Sequence, residues 1–299
     1  MSRMEWRPPT AAKRAEMGAA LCGRYPMLER FPIGKSACGR DIDGFMLGQG
    51  AHSVLFVGGT HAQEWLTVLL VYRFMEDVCA HVESGKAACR VAIGKAMHGR
   101  SLLFVPALNP DGIEIALAGS GTAGKFAASV ASLGGDTAGL WQANARGVDL
   151  NHNFRAGWEQ LHALEQQSGI LSPAARRYGG FAPESEPETA AVAALCRRVR
   201  PAHALSLHTQ GEVIYWRYGH RTPEQARLMA QVLAQAAGYT LDDPEGLAQG
   251  GGFKDWFIEE FARPAFTVEC GKGENPLPLA DFSAVYERVR ELLFTAAVL

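Results

Sequence analysis

No run in this chain approaches the roughly 18–20 consecutive apolar residues that a membrane-spanning helix needs. The first residues, MSRMEWRPPTAAKRAEMG, contain no apolar core of the kind a secretory signal carries, which makes the cytosol the expected compartment. Lysine and arginine are scattered rather than clustered and the net charge is −2, so no nucleic-acid footprint is expected. There is no internal repeat. Cysteine is scarce: Cys22, Cys38, Cys79, Cys89, Cys196 and Cys270, with no CxxC pair. That spacing excludes the usual cysteine-ligated zinc sites and predicts reduced, mostly buried thiols.

What is present is ordinary globular composition. The 299 residues are 47% hydrophobic and 20% charged, enough for one large domain. Short apolar runs at 44–47, 53–57, 101–106, 203–207, 213–216 and 265–269 read as strands. Several are almost continuously apolar, as in strands covered on both faces. Helical spacing recurs between them, at about 11–24, 64–83, 187–200, 223–237, 253–261 and 279–299. This alternation predicts one α/β domain with helices on both faces of a sheet. Two stretches, 117–141 and 155–186, read as long loops, and long loops in compact domains tend to be functional. Asn-Pro-Asp-Gly at 109–112 reads as a tight turn, with proline setting φ and glycine free to take positive φ.

Four chemically competent side chains sit where apolar strands end. His61 and Glu64 follow the strand at 53–57, His208 closes HALSLH, and Glu269 closes AFTVE. Ligands in open α/β sheets bind at the carboxyl ends of strands. Two imidazoles and a carboxylate form a three-ligand zinc set with a position left open, and a further carboxylate beside it can move a proton. Each residue alone has a plainer reading. His61-x-x-Glu64 is also a capping pattern, His208 a core histidine, and Glu269 half of an ion pair. All four at strand ends are harder to explain so.

The pieces THAQEW (60–65), PALNPDGIE (106–114), GVDLNHNF (147–154), SLHTQGE (206–212) and FTVECG (266–271) together resemble the zinc metallocarboxypeptidases, the carboxypeptidase A-like superfamily. The resemblance implies one zinc ion held by His61, Glu64 and His208, with Glu269 as general base. It implies a single zinc-peptidase domain over 1–299, with a helical extension at 1–30 packed on it. The implied fold is a mixed, twisted sheet of roughly eight strands with helices on both faces. It also implies that Asp149 holds the first zinc histidine through its other ring nitrogen, and that Asn151 contacts substrate.

The departures from that pattern are informative. Where the family has a carboxylate-clamping arginine, this chain has His152, which lacks a permanent guanidinium fork. Where many members have an arginine after a tryptophan, Gln142 follows Trp141, leaving Arg146 as the nearest cation to stabilise an oxyanion. The family's mobile tyrosine falls on Leu247. Lys254 occupies the position at the base of the side-chain pocket, where it would favour a negatively charged substrate group. These changes, with YGGFAPESEPET (178–189) and the run from Gly251 to Pro278, resemble a bacterial branch, the γ-D-glutamyl–meso-diaminopimelate peptidases of cell-wall peptides. That resemblance implies a muropeptide substrate. The alternative is a conventional metallocarboxypeptidase that removes C-terminal residues from peptides.

Overall fold

In the computed structural model, which describes residues 4–89, 91–137 and 139–299, eight strands form one mixed sheet. In chain order they are β1 (Leu28–Lys35), β2 (Asp41–Leu47), β3 (His52–Val57), β4 (Arg100–Val105), β5 (His203–His208), β6 (Val213–Tyr215), β7 (Thr240–Asp242) and β8 (Ala265–Glu269). Their order across the sheet is β1-β2-β4-β3-β5-β8-β6-β7. The central four, β4-β3-β5-β8, run parallel, so Val105, Val57, His208 and Glu269 all end at one edge. β5 is buried along its whole length, and β3 and β4 along all but their first residues. Continuously apolar sequence is the expected consequence of two covered faces.

Alternate residues of the central strands feed two cores. Leu205, Leu207, Phe266 and Val268 join the helices Leu66–Ser84 and Phe282–Ala296 on one face. Ala204 and Ala265 join the helices Pro187–Val199 and Phe253–Phe261 on the other. Leu66–Ser84 packs against Phe282–Ala296, which also contacts the helix Gln225–Ala237. Phe74 of the first helix is fully buried between Phe56, Phe104 and Phe294. Truncating such a side chain to alanine costs about 3–5 kcal/mol through lost burial and the cavity left behind. A third, smaller core of Trp141, Ile115, Ala123 and Val130 underlies the segment that follows Trp141.

Several expectations need correction. Asn-Pro-Asp-Gly at 109–112 is not a free turn but the start of the helix Pro110–Ala118. Asn109 caps it, its Oδ1 accepting from the Gly112 N–H at 2.9 Å, and Pro110 takes the first helical position. A turn and a helical first turn use nearly the same backbone angles, so the residues after the motif decide between them. Here Ile-Glu-Ile-Ala-Leu-Ala continues the helix. Gly112 is needed for space, since a Cβ there would lie 2.4 Å from the Ala143 carbonyl oxygen. The two long stretches carry structure of their own: a helix at Ala127–Ser132 in the first, which also contains the undescribed residue 138, and one at Trp158–Gln167 in the second. The N-terminal helix is confined to Ala11–Arg24, because β1 already begins at Leu28; residues 1–3 of the expected extension lie outside the described residues.

Candidate metal centre and substrate cleft

The floor of the site is made by strand ends. β3 leaves the sheet at Val57 into Gly58-Gly59, and both glycines are required. A Cβ on Gly58 would lie 2.9 Å from the Thr67 carbonyl oxygen, and Gly59 has φ +61°. The chain then places His61 in extended backbone, makes one tight 3₁₀ turn over Ala62–Glu64, and enters the helix at Leu66. Thr67 fixes that turn: its hydroxyl donates to the Glu64 carbonyl at 2.8 Å and accepts from the Gly59 N–H at 2.9 Å. Much later in the chain, His208 and Glu269 stand directly opposite each other in the parallel β5–β8 pair.

These turns bring three ligand atoms together, one each from His61, Glu64 and His208, all within 4.8 Å of one another. His61 Nδ1 lies 2.8 Å from Glu64 Oε1, and His208 Nδ1 lies 3.0 Å from Glu64 Oε2. The two Nδ1 atoms are only 3.2 Å apart. Two ring nitrogens facing one carboxylate need a cation or shared protons between them. Two imidazoles and a carboxylate are the donor set zinc takes. Polar groups lie behind the opposite nitrogens: His61 Nε2 is in charge contact with Asp149 Oδ1 at 3.2 Å, without an aligned hydrogen bond, and His208 Nε2 is 3.1 Å from Ser206 Oγ. Such partners fix the tautomer and aim of a ligating imidazole.

The electrostatics follow from burial and proximity. Burial disfavours charge on His61, but the carboxylates of Glu64 and Asp149 outweigh it and hold the imidazole well above its usual range. Burial would raise Asp149 and Glu64, yet the facing histidines hold both below the ordinary carboxylate range. Asp149 also accepts from the Asn151 N–H, the Gln142 side-chain amide and the Arg177 N–H. Glu269 moves the other way: burial, and then the charge of Glu64, push it well above the usual range, against the pull of His61.

The ligands open onto a cleft of about 440 Å³. His61, Asn151, His152, Lys254 and Glu269 line it, as does Leu247 where a tyrosine is missing. Asn151 is held by its Oδ1, which accepts from the Phe253 N–H at 3.0 Å. His152 is buried and braced: its Nδ1 lies 2.7 Å from Oε1 of the fully buried Glu165. The same carboxylate is 2.9 Å from His162 and accepts from the Gly179 N–H. Lys254 is less available than the sequence suggests. Its Nζ donates to the Arg217 carbonyl at 2.7 Å and is paired with Asp255, so its charge is already met.

Arg146 is not in this cleft. It sits in a turn around Asn144, whose Oδ1 accepts the Arg146 N–H at 2.9 Å, and its guanidinium points to Glu186 at 3.8 Å. The expectation that it faces the reacting carbonyl is therefore corrected: the turn aims it at the wall behind. Sequence reasoning missed Arg176, Arg177 and Tyr215, which do line the cleft. Tyr215 was traceable in principle, because β6 pairs with β8 and sets it opposite Thr267. The two arginines lie in irregular chain, where no periodicity marks them.

Comparisons with known proteins agree with this geometry. The profile of the zinc carboxypeptidase family matches residues 16–291. Gamma-D-glutamyl-L-diamino acid endopeptidase 1 of Lysinibacillus sphaericus is 33% identical over 265 residues, covering 88% of this chain and 65% of that protein. The chain thus spans just under two thirds of that relative's length. Murein peptide amidase A of Escherichia coli strain K12 is 28% identical over 247 residues, covering 77% of this chain and 80% of that protein. Among solved structures, bovine thrombin-activatable fibrinolysis inhibitor, in complex with tick carboxypeptidase inhibitor, superposes with a TM-score of 0.74 at 20% identity, covering 98% of this chain and 96% of that one. Murein-tripeptide amidase from E. coli O157 gives a TM-score of 0.55 at 23% identity, covering 93% and 95%. Both likenesses concern the fold. With a match over nearly its whole length and ligands that fit the metal, the chain belongs to the zinc carboxypeptidase family.

Proposed function

We propose that this chain is a zinc peptidase that hydrolyses the amide bond between the γ-carboxyl of D-glutamate and meso-diaminopimelate in murein peptides. His61, Glu64 and His208 would hold the ion. Bound there, zinc supplies Lewis acidity for the amide carbonyl and lowers the proton affinity of water. Glu269 takes a proton from the attacking water and delivers it to the departing amine nitrogen. The products are a γ-glutamyl carboxylate and a free amino group on diaminopimelate. A carboxyl group whose burial raises its proton affinity suits that exchange. Asn151, anchored through its oxygen, keeps its amide N–H groups for a substrate carbonyl or carboxylate. Lys254 and Asp255, a neutral buried pair, line the end of the cleft that would receive the leaving residue, whose far end likewise carries both an ammonium and a carboxylate.

The observation that carries the choice of substrate is His152. Bidentate recognition of an ordinary C-terminal carboxylate calls for a guanidinium, and a glutamate-braced imidazole stands there instead. The relatives named for γ-D-glutamyl and murein peptides support the same choice. We further propose that the chain is one catalytic domain, which the single eight-stranded sheet supports.

The test is mass spectrometry of products from L-Ala-γ-D-Glu-diaminopimelate and from a blocked C-terminal dipeptide, with and without chelator. Release of diaminopimelate from the first, abolished by chelator and restored by zinc, is the expected result. Cleavage of the dipeptide alone would overturn the reading in favour of a conventional carboxypeptidase.

A further inference from the structure

If the leaving residue meets Lys254 and Asp255, the acyl side of the substrate needs a cation that the residues discussed so far do not supply. A glutamate joined through its γ-carboxyl keeps its α-carboxylate free, beside the scissile bond. Arg146 is turned away onto Glu186, and Lys254 is neutralised by Asp255. Arg176 and Arg177 both line the cleft, are solvent-exposed, and enter no ion pair among the described residues.

Their backbone is fixed rather than loose. The Ala174 N–H donates to the Gly147 carbonyl, and Ala175 accepts from the N–H groups of Gln142 and Ala143. The Arg177 N–H donates to Asp149 Oδ2 at 3.0 Å, and the Asp149 N–H donates to the Tyr178 carbonyl at 2.8 Å. Arg177 is held at φ +65°, a left-handed conformation that arginine rarely adopts. The segment is thus laced to the same Asp149 that touches His61, whereas Asn151 is tied to the Phe253 end beside Lys254.

We infer that Arg176 and Arg177 are the specificity-determining cations of this site, and that they bind the free α-carboxylate of a γ-linked acidic residue on the acyl side of the scissile bond. The inference rests on the proposed reaction for the orientation of substrate, but not for its test. Arginine suits this task because its planar donors meet a carboxylate in parallel.

The test is calorimetric binding of the acyl-side product L-Ala-D-Glu, and of its α-amide L-Ala-D-isoglutamine, to the zinc-loaded enzyme. Both ligands keep the γ-carboxylate, and they differ only in the group assigned to the arginines. Wild type is expected to bind the acid about tenfold or more tightly than the amide, the scale of a hydrogen bond to a charged group. In the double variant Arg176→Ala/Arg177→Ala that preference should vanish, with thermal unfolding unchanged because both side chains are exposed. The variant removes no backbone bond to Asp149, and Arg177→Lys should restore part of the preference. A double variant that still prefers the acid as strongly as wild type, or a wild type that does not distinguish the two, overturns the inference. Failure to release diaminopimelate would instead count against the proposed reaction and leave this binding result readable.

Discussion

His208 and Glu269 stand side by side because two parallel strands are in register. Arg177 stands at the cleft because an irregular segment is hydrogen-bonded to Asp149. The floor of the site and its walls therefore obey different constraints. On the floor, shifting a strand by one residue would turn its side chains to the opposite face, so the positions of His208 and Glu269 are set by the same packing that makes the core, and His61 follows β3 through the turn that Thr67 fixes. On the walls, position is set by capped turns and buried carboxylates such as Glu165 and Glu186, and residue types can change while the sheet stays as it is. His152, Gln142, Leu247 and Lys254, the departures from the family pattern, are all wall residues.

The largest effect should come from the floor. Glu269→Gln keeps shape and removes the carboxylate proposed to carry the proton, so kcat is expected to fall by about 10²–10⁴-fold. Zinc content, read by elemental analysis, should stay stoichiometric. A variant that turns over at wild-type rate would move the base to another residue and end the claim that strand register places it.

Asp149 joins the two regions, since it touches His61 on the floor and accepts from Gln142 and Arg177 on the wall. Asp149→Asn should lower zinc affinity or activity by about 10–100-fold, as loss of a supporting carboxylate does elsewhere. Competition with a calibrated chelator measures it. Unchanged affinity would mean that the wall does not help to aim the floor.

This division also explains what the sequence disclosed. β3, β5 and β8 were legible because strands buried on both faces read as almost continuously apolar runs, and a histidine or glutamate closing such a run stands out. β1 was not, because an edge strand reads Leu-Glu-Arg-Phe-Pro-Ile-Gly-Lys, interrupting its apolar residues with adjacent charges and carrying Pro32. β7 is three residues long and mostly exposed. The helix Pro110–Ala118 hid behind a turn motif. On the wall, nearness in sequence to Trp141 points to Arg146, but a turn around Asn144 decides where its side chain goes, and no spacing rule reports that. Glu165 is invisible for the same reason: its partner His152 lies thirteen residues away across a loop.

A wall carboxylate should act on binding more than on chemistry. Glu165→Gln is nearly isosteric but removes the charge that faces His152 and His162. KM for the muropeptide is expected to rise about tenfold, the scale of one charge-assisted hydrogen bond, with kcat and zinc content held. A fall in kcat at constant KM would instead place His152 in the chemical step, and the wall would then share the work of the floor.

The smallest effect is expected at Arg146, and it discriminates most sharply between reading by sequence and reading by shape. As the nearest cation after Trp141, Arg146 is the sequence's candidate for stabilising an oxyanion, and removing such a group typically lowers kcat by about 10²–10³-fold. The structure gives Arg146 a half-exposed guanidinium at 3.8 Å from Glu186, an ion pair of the kind worth about 0–1 kcal/mol. Glu186 would not be stranded by its loss, because it also accepts from the Asn144 side-chain amide at 2.7 Å and the Ser185 hydroxyl at 3.0 Å. Arg146→Ala should therefore change kcat/KM by no more than about twofold and leave thermal unfolding almost where it was. A hundredfold loss of kcat, with zinc content and stability intact, would show that the turn at Asn144 opens in the working enzyme and swings the arginine over the metal. The walls would then be mobile parts of the mechanism rather than a fixed frame around it.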